Sequence, residues 1–138
     1  MKLGRPNLNW KQKILLDIFS HLDNEEYSRL KVFKIAFLLS RKLLNRKTNF
    51  YNFVPYKYGP YSFEMDKDLR AFKNNGWIKM QDKSISINKD IIRQFSFETE
   101  FEEEVCETTV KYKSIDETNL LDFIYKGYPN YSQNSLLV

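Results

Sequence analysis

The stretch Phe53-Val54-Pro55-Tyr56-Lys57-Tyr58-Gly59-Pro60-Tyr61-Ser62 runs straight into an amphipathic segment that closes on Gly76-Trp77-Ile78. Pro60 has no backbone N–H and pushes Gly59 out of the helical region, so the chain turns there. Ser62 then stands where a helix N-cap is wanted, its hydroxyl free to accept an orphan backbone N–H. Met65, Leu69 and Phe72 follow at the spacing of one buried stripe, which predicts a helix over 63–74. Gly76 suits the left-handed conformation that stops such a helix. Beyond it, Ile78 and Met80 face Ile85 and Ile87 across Gln81-Asp82-Lys83-Ser84, the pattern of a β-hairpin over 77–88. Turn, helix and hairpin in this order predict a mainly α fold with a small β-hairpin, a winged helix-turn-helix.

Upstream, the spacing predicts a helix over 9–22, capped by Asn9 and ended by Asp23-Asn24. Trp10, Ile14, Ile18 and Leu22 form its stripe, widened by Leu15 and Phe19. A second helix, 28–45, has Ser28 as its cap. It is apolar nearly all round, from Leu30 to Leu39, as expected of a central buried helix. Residues 46–61 read as a long turn anchored by Phe50, Tyr51, Phe53 and Val54. Downstream, Lys89–Phe97 reads as a short helix. Residues 98–112 give another, with Phe101, Val105, Thr109 and Tyr112 on one face. The last helix starts at the capping box Ser114-Ile115-Asp116-Glu117 and stops at Gly127, leaving 130–138 irregular. No internal repeat or low-complexity tract is present.

Size bounds the organisation: 138 residues suit one domain, or one domain with an appendage. Eleven Phe and nine Tyr imply a core built largely from rings. The net charge of +4 conceals an asymmetry. Residues 1–97 hold 19 Lys and Arg against 9 Asp and Glu, a net +10, whereas 98–138 hold 3 against 9, a net −6. This predicts a basic winged helix-turn-helix over 1–97 and an acidic helical extension over 98–138. The extension is expected either to pack on the first part or to mediate homodimerisation. No apolar run approaches the ~20 residues that cross a bilayer. Nor does an apolar h-region follow Met-Lys-Leu-Gly-Arg-Pro, so neither a membrane span nor a secretory signal is expected. A single cysteine, Cys106, fits a reducing cytoplasm. The bias toward Asn, Lys, Ile, Phe and Tyr suggests a prokaryotic or phage-borne chain.

Catalysis is hard to build from this sequence. The one histidine, His21, falls at the end of the first helix, where a cation favours the helix dipole. Glu104 and Glu107 beside Cys106 would raise its thiol pKa rather than activate it. Two isolated residues make no metal cluster, and four glycines form no phosphate loop. No enzyme activity, metal or cofactor is therefore expected.

Double-stranded DNA is the better-supported partner. With Met65, Leu69 and Phe72 turned inward, the opposite face of helix 63–74 carries Lys67, Arg70 and Asn74, side chains that reach guanine, adenine and phosphate. Tyr61 and Ser62 lie at the end that enters the major groove in helix-turn-helix docking. Lys57 in the turn, with Lys79 and Lys83 on the hairpin, would grip phosphates on either side. Glu64, Asp66 and Asp68 flank the same face and oppose this reading. A second basic group, Arg41, Lys42, Arg46 and Lys47, closes the second helix, where the dipole alone attracts cations. Tyr56, Tyr58 and Tyr61 suit stacking on bases or a partner peptide, but more readily lock the Gly-Pro turn onto the second helix.

The aromatic-Pro-Tyr-x-Tyr-Gly-Pro-aromatic-Ser string, here Phe53, Pro55, Tyr56, Tyr58, Gly59, Pro60, Tyr61 and Ser62, precedes Gly76-Trp77-Ile78. It resembles a signature of little-characterised prokaryotic winged-helix domains, similar to the SocA-like antitoxin domain called Panacea. Ile124-Tyr125 and Tyr128-Pro129, ahead of Tyr131 and Ser135, resemble the same group's ending. The resemblance implies a helix-turn-helix-like fold in regulatory, antitoxin or mobile-element-defence settings. The sequence therefore carries two functional expectations: a DNA-binding regulator, or an antitoxin, adaptor or inhibitor that meets a protein partner on the same fold.

Overall fold

The computed structural model describes residues 7–23, 26–95 and 97–133. Helix α1 spans Trp10–Ser20, with Asn9 and Gln12 capping each other reciprocally. Strand β1, Glu26–Ser28, leads into α2, Arg29–Leu44, whose N-cap is Ser28 as the sequence predicts. Every residue from Val32 to Ser40 is buried, so α2 is the central helix. Val54–Tyr56 and Gly59–Tyr61 form β2 and β3, an antiparallel pair, and α3 then covers Phe63–Asn74. Ile78–Met80 and Ser84–Ile87 make the predicted hairpin, β4 and β5. The short α4, Lys89–Ile92, is followed by α5, Glu102–Tyr112, α6, Glu117–Gly127, and a 3-10 turn over Pro129–Ser132.

The fold is mainly helical with a small antiparallel sheet, as expected, and the departures have local causes. Residues 46–61 hold a hairpin rather than a plain turn. Its strands are three residues each, and Pro55 pairs with Pro60, neither of which has an N–H to give the ladder. Strand β1 is an element the sequence pattern does not signal. It is also three residues long, and it pairs with β5 to give the order β1–β5–β4. Trp10, expected on the buried stripe of α1, is 39% exposed and packs at a tilt over Phe50 and Phe101. The expected helix over 89–97 stops at Ile92 and turns through Phe95, with Ser96 outside the described residues. Helix α5 starts at Glu102 rather than near 98, because Thr99 Oγ1 accepts the Phe101 N–H and Phe101 turns into the core. Helix α6 is capped by Asp116, which accepts from the Asn119 N–H, and not by Ser114. Residues 130–132 are in the 3-10 turn, where Tyr131 packs on Phe37, and 134–138 lie outside the described residues, as does Asn24.

Helices α5 and α6 share the core of the preceding elements. Phe101, Val105, Leu120 and Ile124 join one buried cluster with Ile14, Phe37, Leu69 and Ile85. The acidic side of α5 meets the basic end of α2: Lys42 bonds Glu107 at 2.7 Å, and Arg46 bonds Glu104. Among the described residues, no helix is long and apolar enough to cross a membrane.

Candidate nucleic-acid interface

The sequence of α3 alternates acids and bases, and the structure sorts them by direction. Met65, Leu69 and Phe72 are buried as predicted. Glu64 accepts from Lys11 Nζ at 2.6 Å and from the Asn52 N–H. Asp68 accepts from the Tyr51 hydroxyl at 2.6 Å and from Gln12 Nε2 at 3.1 Å. Asp66 is buried and lies between two arginines, Arg29 Nη2 at 2.7 Å and Arg70 Nε at 2.8 Å. Burial alone would raise the Asp66 carboxyl, but the hydrogen bonds from Arg70 and Arg29 outweigh it and hold it below the ordinary carboxylate value. The three acids that oppose DNA binding in the sequence are thus each engaged by α1, α2 or the segment before β2.

The other side of α3 carries Lys67, Arg70, Lys73 and Asn74, all exposed, with the small Ala71 exposed between them. Arg70 spends only its Nε on Asp66, so the carboxylate aims a guanidinium whose remaining donors face solvent. Ser62, expected at the DNA surface, is fully buried. Its hydroxyl accepts the Met65 N–H, so it is a helix cap and not a groove contact. Tyr61 is half-buried and stacks on Phe33 at 4.6 Å, with its hydroxyl accepting from Arg29. It locks the turn onto α2, whereas Tyr56 and Tyr58 stay exposed.

Tyr61 and Lys83 border one cleft of about 830 Å³ at the N-terminal end of α3. Arg29, Tyr56, Tyr58 and Phe63 are also among its walls. Phe63 is 61% exposed and meets Tyr56 and Tyr61 at 5.9 and 5.0 Å. The sequence pattern points to neither Arg29 nor Phe63. The contacts of Arg29 span 32 and 37 residues, and no local pattern carries that separation. Phe63 alone was accessible, as a large apolar side chain off the helix stripe.

The remaining predicted residues are dispersed. Lys57 is exposed in the β2–β3 turn. Lys79 stands on the solvent side of the sheet, in register with Ser86 and Glu26, and lines a different cleft from Lys83. In the second basic group, Lys42 and Arg46 are paired with α5, Arg41 lies over the Tyr128 ring at 5.2 Å, and Lys47 is exposed. His21 lies 3.1 Å from Asp17, and burial raises the Asp17 carboxyl more than His21 lowers it. Among the described residues, no group of three or more His, Cys, Asp or Glu could hold a metal ion. No protein-family model matches the chain, and no curated protein matches it in sequence.

Proposed function

We propose that this chain is a winged helix-turn-helix DNA-binding regulator that presents α3 to the major groove. The strand order β1–β5–β4 supports the winged-helix assignment, with β1 between α1 and α2 in the chain and the β4–β5 hairpin directly after α3. The observation that carries the DNA reading is the sorting of charge on α3. Its acids are each engaged by a neighbouring donor, Asp66 buried, Asp68 half-buried and Glu64 exposed, while Lys67, Arg70, Lys73 and Asn74 face solvent around Ala71. Arg70 is the side chain suited to a bidentate guanine contact, and Lys83 at the hairpin tip is suited to phosphate. The Tyr-Gly-Pro turn, with its Panacea-like resemblance, favours an antitoxin or defence setting for such a regulator.

Fluorescence anisotropy with duplex DNA across a salt series tests this. Affinity is expected to fall by about 0.9 log units per log unit of salt for each phosphate contact. Arg70→Ala is expected to cost about 1–3 kcal/mol and relax preference at one base position. Lys83→Ala is expected to weaken all sequences alike and lower the salt slope by about one. Undetectable binding at low salt overturns the proposal.

A second reading rests on Val54, Tyr56, Tyr58 and Phe63, large apolar side chains left exposed around the β2–β3 hairpin and the start of α3. They suit a protein partner, as an antitoxin or inhibitor would require. Phe63→Ser separates the two: it abolishes partner capture if this reading holds and leaves the salt slope on DNA unchanged if α3 binds DNA.

A further inference from the structure

Under the turn of the β2–β3 hairpin lies a cavity of about 420 Å³, with α2 on one side and α6 on the other. Leu30, Leu121 and the Tyr58 ring give it apolar walls. Lys34 also lines it, from the middle of the central helix, at only 2% exposure. Gly59 lies beside it: a Cβ there would be in ordinary contact with Lys34 Cε at 3.6 Å. Among the described residues, no hydrogen bond or ion pair reaches the Lys34 ammonium. From α6, Tyr125 lines the same cavity, and its hydroxyl is buried with no hydrogen-bond partner.

Buried donors are nearly always paired, because an unpaired one forfeits its hydration without replacement. The Tyr125 hydroxyl is such a donor, and Lys34 Nζ, which keeps a trace of solvent contact at the cavity, has no acceptor among the described residues, so the pair marks a site whose acceptor arrives from outside. Burial pushes the Lys34 amine below its ordinary value and the charge of Glu117 pulls it partly back, so an anion brought against it would favour its charged form further. The acids that border the cavity are already engaged: Glu117 accepts from Ser28 Oγ, and Asp122 pairs with Lys126 at 3.0 Å. Their charge still repels a polyanion, which favours one small carboxylate over phosphate groups or nucleic acid.

We propose that this cavity binds a small monocarboxylate with an apolar body. The carboxylate accepts from Lys34 Nζ and Tyr125 OH, and the body lies against Leu30, Leu121 and Tyr58. The site is independent of the DNA reading, because none of the exposed face of α3 takes part in it.

Benzoate is the probe, with benzamide as its neutral isostere and inorganic phosphate as the multiply charged control. Backbone amide shifts of the 15N-labelled full chain give the readout. Saturable benzoate shifts are expected around 30–34, 58–59 and 117–125, with benzamide and phosphate at least about tenfold weaker. Lys34→Met keeps the apolar length and removes the buried charge, so it should fold at least as stably as the parent and lose the benzoate shifts. Tyr125→Phe should weaken benzoate about fivefold or more, as expected for loss of a hydrogen bond to a charged group. Equal response to benzoate and benzamide overturns the proposal. So do shifts that persist in Lys34→Met, or none at about 10 mM benzoate. Should Lys34→Met fail to fold, unchanged benzoate affinity in Tyr125→Phe overturns it instead.

Discussion

Gly59 answers two demands at once. Its φ of +117° lies where a side chain is strained, and a Cβ added there would stand 3.0 Å from Leu121 Cδ1. Gly76 has only the first demand: its φ is +78°, and nothing lies within 4 Å. Gly59→Ala is therefore expected to cost about 2–3 kcal/mol and Gly76→Ala about 1 kcal/mol, read from urea midpoints. Equal losses would mean that the approach of the hairpin to Leu121 contributes nothing. Both glycines were legible in the sequence from the turn and the helix stop. The crowding under Gly59 was not, because Leu121 is far away along the chain and the stop signals carry no distance information. Asp66 shows the opposite case, an acid whose role the sequence misdirects. Its folded carboxyl is held below its ordinary value of 3.8 by Arg70 and Arg29 against the cost of burial. Its contribution is thus complete above that value and fades as pH falls through the lower folded pKa. Asp66→Asn is expected to cost about 1–3 kcal/mol near neutral pH and to flatten the acid limb of stability below about pH 4. Urea unfolding of parent and variant at both ends of that window measures it.

Elements with a strong local signal were readable, and those set by distant pairing were not. Helix α3 has a cap, a stripe and a stop close together in the chain, and its observed bounds of Phe63–Asn74 match the sequence expectation. Strands β1 to β3 are Glu-Tyr-Ser, Val-Pro-Tyr and Gly-Pro-Tyr, without the aliphatic–polar–aliphatic pattern that Ile78-Lys79-Met80 gives β4, and they exist because β1 finds β5 and β2 finds β3. The start of α6 is an error between neighbouring signals. Ser114-Ile115-Asp116-Glu117 has the spacing of a capping box, yet Ile115 and Asp116 lie outside the helix. Asp116 has the extended backbone of a cap and accepts from Asn119 N–H at 2.9 Å. A charged cap beside a suitable third residue thus prevailed over a hydroxyl slightly earlier in the chain. Asp116→Ala is expected to cost about 1 kcal/mol and Ser114→Ala close to nothing, compared by thermal melts. Reversed effects would restore the earlier cap.

For the whole molecule, the asymmetry between a basic first part and an acidic last part is a docking arrangement within one chain. The acids of α5 lie along the basic end of α2, where Glu107 meets Lys42, Glu104 meets Arg46, and the Arg46 guanidinium also lies 4.8 Å from the Phe101 ring. Such exposed pairs add little stability, about 0–1 kcal/mol each, but they offset the charges of Lys42 and Arg46 at the place where these would otherwise attract phosphate. On α3, Lys67, Arg70 and Lys73 stay exposed, and the acids of that helix are each engaged by a neighbouring donor, Asp66 shared between Arg70 and Arg29. On the proposed function, the two basic regions must therefore differ in their effect on DNA. Lys42→Gln with Arg46→Gln is expected to leave duplex affinity within about twofold and the salt slope unchanged. Lys67→Gln with Lys73→Gln is expected to weaken all sequences and lower the slope by about two, one for each lysine that no longer neutralises a phosphate. Both pairs remove the same formal charge, so a difference between them measures position rather than net charge, and circular dichroism confirms that each variant is folded. The reverse ranking would move the DNA surface to the end of α2 and require α5 to lift away before binding.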